Sequence, residues 1–145
     1  MKKILIVDDN QNVRFFLSEF FKLHGFFCVS LCDGSQAITR IKQETFDLVL
    51  TDLHMPIMNG FELITALKKT QGECAKIPVI IMTADGSSSV RNHARQAGAV
   101  GILHKPFDTR ELLTMISVAL RLNTSTYHTE NSHEQKPKNV TSSSM

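Results

Sequence analysis

Cysteine is scarce in this chain and poorly placed for chemistry. The three present, Cys28, Cys32 and Cys74, are an odd number without Cys-x-x-Cys spacing, which argues against a disulfide framework. On a strand, Cys28 and Cys32 would stand about 13 Å apart, too far to share a zinc ion, so they read as small packing residues. No apolar stretch is long enough to cross a membrane and no secretory signal opens the chain, so a reducing cytoplasm is the expected location, with no membrane partner. Charge of one sign is lacking too. A net charge of +2 does not support nucleic acid or an anionic surface as the main partner, so no direct DNA binding is expected. No internal repeat or coiled-coil heptad is present, and nothing after the last predicted helix reads as a helix-turn-helix.

What the chain does hold is enough apolar material for one core. With 145 residues, 42% of them hydrophobic, a single domain is expected. Five short apolar runs alternate with five helical patterns. Ile4-Leu5-Ile6-Val7 ends in Asp8-Asp9-Asn10, and Val13, Phe16, Leu17, Phe20, Phe21 and Leu23 then recur at helical spacing until Gly25. A strand over 27–31 leads through Asp33-Gly34-Ser35 into a short helix carrying Ala37, Ile38 and Ile41. The run from Phe46 delivers Asp52 at its carboxyl end, followed by a loop bounded by Pro56 and Asn59-Gly60. Phe61, Leu63, Ile64 and Leu67 make the third helix, closed by Gln71-Gly72. Val79-Ile80-Ile81-Met82 runs into Thr83, and a fourth helix extends from a Ser87–Ser89 cap to Gln96, with Gly98 closing it. The strand over 100–103 meets His104-Lys105-Pro106, and the final helix is expected over 108–122.

This alternation predicts an α/β fold, a doubly wound five-stranded parallel sheet of flavodoxin-like (βα)5 type, with helices on both faces. The domain is placed at residues 1–122. Residues 123–145 are polar, with Tyr127 and Val140 nearly their only apolar bulk, and are expected to form a disordered tail.

In such sheets the ligand crevice lies beyond the carboxyl ends of the strands. The fold therefore gathers Asp8 and Asp9, Asp52, Thr83 and Lys105 on one rim. Three clustered carboxylates repel one another unless a cation holds them, and an all-oxygen set with room for water and phosphate oxygens favours Mg2+ over Ca2+. A lysine and a hydroxyl beside the cluster suit an anion, and a carboxylate can act as nucleophile to form an acyl phosphate.

Ile4-Leu5-Ile6-Val7-Asp8-Asp9, Asp52 followed by Met55-Pro56 and Asn59-Gly60, Thr83-Ala84, and Lys105-Pro106-Phe107 together resemble the receiver domain of two-component response regulators, over Lys2 to about Leu122. The resemblance implies that Asp52 accepts a phosphoryl group from a phosphohistidine on a sensor histidine kinase or histidine phosphotransfer protein. It further implies Mg2+ held by Asp9, Asp52 and the backbone carbonyl of His54, with Asp8 acting through water. Lys105 would pair with phosphoryl oxygens, Thr83 would donate its hydroxyl to one, and the Lys105-Pro106 bond would be cis. Such a module is a signalling protein, here expected to stand alone, whose output is read by a downstream protein target through a shift of the surface around the fourth helix, fifth strand and fifth helix. His54 and Asp85 occupy positions that tune water access to the phosphoryl group in that family, and a titrating His54 would make the acyl phosphate lifetime vary between pH 6 and 8. Phe15, outside the core stripe of the first helix, is a candidate docking aromatic.

One departure stands out. Ile102, three residues before Lys105, replaces an aromatic that swings inward in many receivers, which implies a differently built switch or a mainly relaying role. Two competing readings are a phosphorylation-independent scaffold and a phosphotransferase of the haloacid-dehalogenase type. The latter needs an acid or hydroxyl two residues past the nucleophile, where this chain has His54.

Overall fold

The computed structural model describes residues 1–131. Its elements are β1 (Lys3–Val7), α1 (Gln11–Leu23), β2 (Phe27–Leu31), α2 (Gly34–Gln43), β3 (Leu48–Asp52), α3 (Gly60–Lys68), a short 3-10 helix (Gly72–Lys76), β4 (Val79–Thr83), α4 (Ser88–Ala97), β5 (Gly101–His104) and α5 (Thr109–Asn131). All pairings are parallel and the strand order is β2-β1-β3-β4-β5. The expected doubly wound sheet is therefore the observed one.

Strand periodicity splits the core into two layers. Ile4, Ile6, Leu48, Leu50, Ile80, Met82 and Leu103 face one side, where Leu17 and Phe21 of α1 and Leu112 and Ile116 of α5 cover them. Leu5, Val7, Val49, Val79 and Ile81 face the other, against Ala37 and Ile41 of α2, Leu63, Ile64 and Leu67 of α3, and Ala94 of α4. Burying each large aliphatic side chain contributes about 1.5–3 kcal/mol, so these two layers dominate the folding energy.

The helix starts are built locally. Asn10, Asp33, Asn59 and Ser87 each accept backbone N–H groups at an N-terminus, and Asn59 and Glu62 form a reciprocal capping box. Gly98, at φ 102°, closes α4 in the left-handed region, as its position in the sequence predicts.

Two differences from the sequence reading concern helices. The segment after Gln71, read only as a helix stop, winds into the 3-10 turn before β4. Helix α5 continues to Asn131, nine residues past Leu122, so the expected polar tail overlaps it over 123–131. The remainder of that tail, 132–145, lies outside the described residues. Among the described residues, no helix is long and apolar enough to cross a membrane.

Candidate functional site

The sheet order reverses between β1 and β3, whose neighbours run outward in opposite directions, so the crevice opens at the ends of these two strands. Asp8 follows β1 and is fully buried. Its N–H donates to the Leu31 carbonyl at 3.1 Å, its Oδ1 accepts the Asn10 N–H at 2.9 Å, and its carbonyl accepts from the Arg14 guanidinium at 2.7 Å. Asp52 ends β3 and is 8% exposed. The chain leaving it is pinned to β4 by the Leu53 N–H on the Met82 carbonyl at 2.9 Å.

Lys105 joins the two strands. Its Nζ stands 2.9 Å from Asp8 Oδ2 and 3.1 Å from Asp52 Oδ1, while its own N–H donates to the Thr83 carbonyl at 2.8 Å. The Lys105-Pro106 peptide is cis, as the resemblance implied. Thr83 is buried at the end of β4, and its hydroxyl oxygen accepts the Asp85 N–H at 3.0 Å. Asp9 is exposed at the mouth, and carboxylate oxygens of Asp8, Asp9 and Asp52 lie within 4.8 Å of one another. The residues singled out from sequence at positions 8, 9, 52, 83 and 105 thus share one rim. His54 lies on the loop that leaves Asp52 and is exposed.

Charge does not balance here. Burial raises the pKa of the Asp52 carboxyl, and the Asp8 charge raises it further, against the opposing hydrogen bond and charge of Lys105. At Lys105, burial works to lower the ammonium's pKa, but its hydrogen bonds to Asp8 and Asp52 outweigh that and raise it. Three carboxylates face one ammonium in this cluster. An octahedral Mg2+ with bonds of about 2.1 Å places its ligand oxygens roughly 3–4 Å apart, so the present hard-oxygen set fits such an ion with little contraction.

Beside the crevice, Asp85 has its pKa lowered by hydrogen bonding to Ser87, assisted by the charges of His54 and His104. The ring of His104 lies against Gly86, where an added Cβ would meet Cδ2 at 3.1 Å. Ile102 pairs with Ile81 in the sheet and is half-buried against the α2–α4 layer.

Sequence reasoning missed two supports. Arg14 holds the Asp8 carbonyl, and no motif distinguishes it from any other cation on α1. From sequence Gly60 reads as the close of a turn, yet a Cβ there would lie 2.8 Å from the Asp52 carbonyl, so its smallness seats the α3 start against the acid.

Residues 4–117 match the family model of the response regulator receiver domain. The transcriptional regulatory protein CpxR of Escherichia coli K12 is 38% identical over 121 residues, 83% of this chain and 50% of that protein. The chain thus spans about half the length of that relative. Sporulation initiation phosphotransferase F of Bacillus subtilis is 36% identical over 121 residues, 83% of this chain and 95% of that protein. Among solved structures, the Vibrio cholerae chemotaxis protein CheY4 superposes with a TM-score of 0.77 at 29% identity, covering 82% of this chain and 98% of that one. The receiver domain of the sensor histidine kinase PA1611 from Pseudomonas aeruginosa, solved with a magnesium ion in its active-site cleft, gives 0.76 at 25% identity, covering 83% and 98%. The buried acids, bridging lysine and strand order described above are thus those of a chain that belongs to the response regulator receiver domain family of two-component signalling.

Proposed function

We propose that the domain is a phosphoacceptor whose acceptor atom is a carboxylate oxygen of Asp52. The observation that carries this reading is the Lys105 ammonium held between Asp8 and Asp52 at 2.9 and 3.1 Å, on a rim that also holds Asp9. An Asp52 oxygen attacks the phosphorus of a phosphohistidine on a sensor kinase or phosphotransfer protein. The P–O bond forms, the P–N bond breaks, and the nitrogen keeps the electron pair and takes a proton from solvent. Little covalent work falls to the protein; positioning and charge neutralisation do the rest.

Each residue has a part in that. Asp9, Asp52 and the His54 backbone carbonyl would hold Mg2+, with Asp8 acting through water, and the bound ion supplies neutralisation of phosphoryl charge. Lys105, released in part from Asp52 once that carboxylate is phosphorylated, pairs with a phosphoryl oxygen. Thr83, whose oxygen already accepts the Asp85 N–H, keeps its hydroxyl proton free to donate to another. The module acts in the cytoplasm, and its output is read by a downstream protein target; the receiver domain itself contacts no DNA.

Incubation of the full chain with acetyl phosphate and Mg2+, followed by intact-mass spectrometry, tests this. One phosphoryl group is expected on the wild type and none on Asp52→Asn or in excess chelator. Equal labelling of Asp52→Asn would contradict the assignment, and a folded wild type that never gains mass would leave the scaffold reading in its place.

A further inference from the structure

Ile57 is the one non-glycine residue with positive φ among the described residues, at 72°, and it is 84% exposed. The Met58 N–H donates to the Pro56 carbonyl at 2.7 Å, so Ile57 sits at the centre of a three-residue turn of the rare, strained hand. A β-branched side chain is among the least suited to that conformation, which glycine or asparagine adopts with ease. Its neighbours behave differently. Met55 and Met58 pack onto the core, and Met58 lies so close over Gly34 that a Cβ there would be 2.8 Å from its Sδ. The loop therefore turns Met55 and Met58 inward and leaves Pro56 and Ile57, the two residues between them, exposed to solvent.

Neither backbone comfort nor core packing gains from isoleucine at this position. A single exposed apolar side chain is ordinary on a protein surface, but one held on a strained backbone at the edge of the acceptor site points to a contact role. The position says with what. Both ends of the loop are fastened at Asp52: the Gly60 N–H donates to the Leu53 carbonyl at 2.8 Å, and Leu53 is bound to β4. The Cα of Ile57 then lies no more than about 11 Å from that of Gly60. A specific protein interface takes roughly 800 Å2 per partner, a patch of about 16 Å radius. An interface of that size centred on Asp52 extends far enough to include Ile57, whereas a small phosphodonor does not.

We infer that Ile57 is an apolar anchor for the phosphodonor protein, seated against an apolar side chain beside that protein's phosphohistidine. This rests on the reading of Asp52 as acceptor. Burying an isoleucine side chain on docking corresponds to about a tenfold or larger gain in affinity.

The test uses the full chain as wild type, Ile57→Asn, which suits the left-handed backbone but loses the apolar surface, and Ile57→Leu, which keeps it. Soluble catalytic portions of histidine kinases, autophosphorylated with ATP, are screened on the wild type and the fastest is kept. The ratio of transfer from that kinase to labelling by acetyl phosphate is expected to fall about tenfold in Ile57→Asn, through KM more than the saturated rate, and to stay within about threefold in Ile57→Leu. Thermal unfolding of Ile57→Asn should begin no lower than that of wild type. An unchanged ratio overturns the anchor, as does an equal fall with both donors, which would make Ile57 a support of the acceptor loop. Loss of a wild-type dimer in Ile57→Asn, seen by sedimentation, would give the patch to a second copy of this chain instead. Labelling by acetyl phosphate but by no kinase would overturn the donor partner while Asp52 stands; labelling by neither would overturn Asp52 itself.

Discussion

Asp52 carries a cost that the sheet does not require. Its carboxyl pKa is raised from 3.8, so through the window from 3.8 up to the raised value the folded chain binds more protons than the unfolded one. Stability therefore falls as pH rises through that window, and above it the ionised, buried acid weighs against folding. Asp52→Asn in chelator at pH 7 should stabilise the protein by about 1–3 kcal/mol in urea unfolding, with the gain fading towards pH 4. A variant less stable than wild type at pH 7 would mean that the ion pair with Lys105 outweighs the burial. Lys105 has the opposite sign. Its raised pKa gives a contribution present below its unfolded value of 10.5 and lost as pH climbs through the folded one. Gly60→Ala makes a separate residue-scale case, since the added methyl group would stand 2.8 Å from the Asp52 carbonyl. It should cost about 1–3 kcal/mol of stability and slow labelling by acetyl phosphate, because the backbone that presents the acid must shift.

At the scale of elements, the β4–α4 connection links the site to a surface helix. The Thr83 hydroxyl oxygen accepts the Asp85 N–H at 3.0 Å, the Asp85 carboxylate accepts the Ser87 N–H at 2.9 Å, and the Ser87 hydroxyl oxygen caps Val90 at 3.3 Å. A Thr83 drawn towards a phosphoryl oxygen would pull this chain and the start of α4 with it, which offers a coupling route that does not need an aromatic at position 102. Ser87→Ala should lower stability by about 1 kcal/mol through loss of the cap. It should also shrink the amide chemical-shift changes over 88–97 on adding beryllofluoride and Mg2+; unchanged shifts there would exclude the route. Most of these elements were legible because strand runs, caps and Gly98 are local signals. The 3-10 turn was not, since its Gly72 start reads equally as a helix stop. The end of α5 was not either, because a polar composition says little about whether helical backbone continues.

Across the whole molecule, parallel order β2-β1-β3-β4-β5 is what makes neighbours of residues as far apart as Asp8 and Lys105. The rim was legible because each acid ends an apolar run, and the rule for ligand crevices needs no side-chain detail. The parts that sequence could not supply are three-dimensional: the guanidinium of Arg14 beneath Asp8, the backbone of Gly60 against Asp52, and the left-handed turn at Ile57. If the acid cluster holds Mg2+ in the native state only, the ion at one hundred times its Kd adds about 2.7 kcal/mol to stability. Asp9→Asn should remove most of that increment in a Mg2+ titration of the melting temperature, and an equal increment in the variant would place the ion elsewhere.

The acceptor atom itself is open to direct chemistry. Protein treated with acetyl phosphate and Mg2+ is reduced with borohydride, which converts an aspartyl phosphate to homoserine, and is then digested for peptide sequencing by mass spectrometry. Homoserine at position 52 and at no other acid is the predicted result; homoserine at Asp8 or Asp9, or unmodified aspartate throughout, would contradict the account.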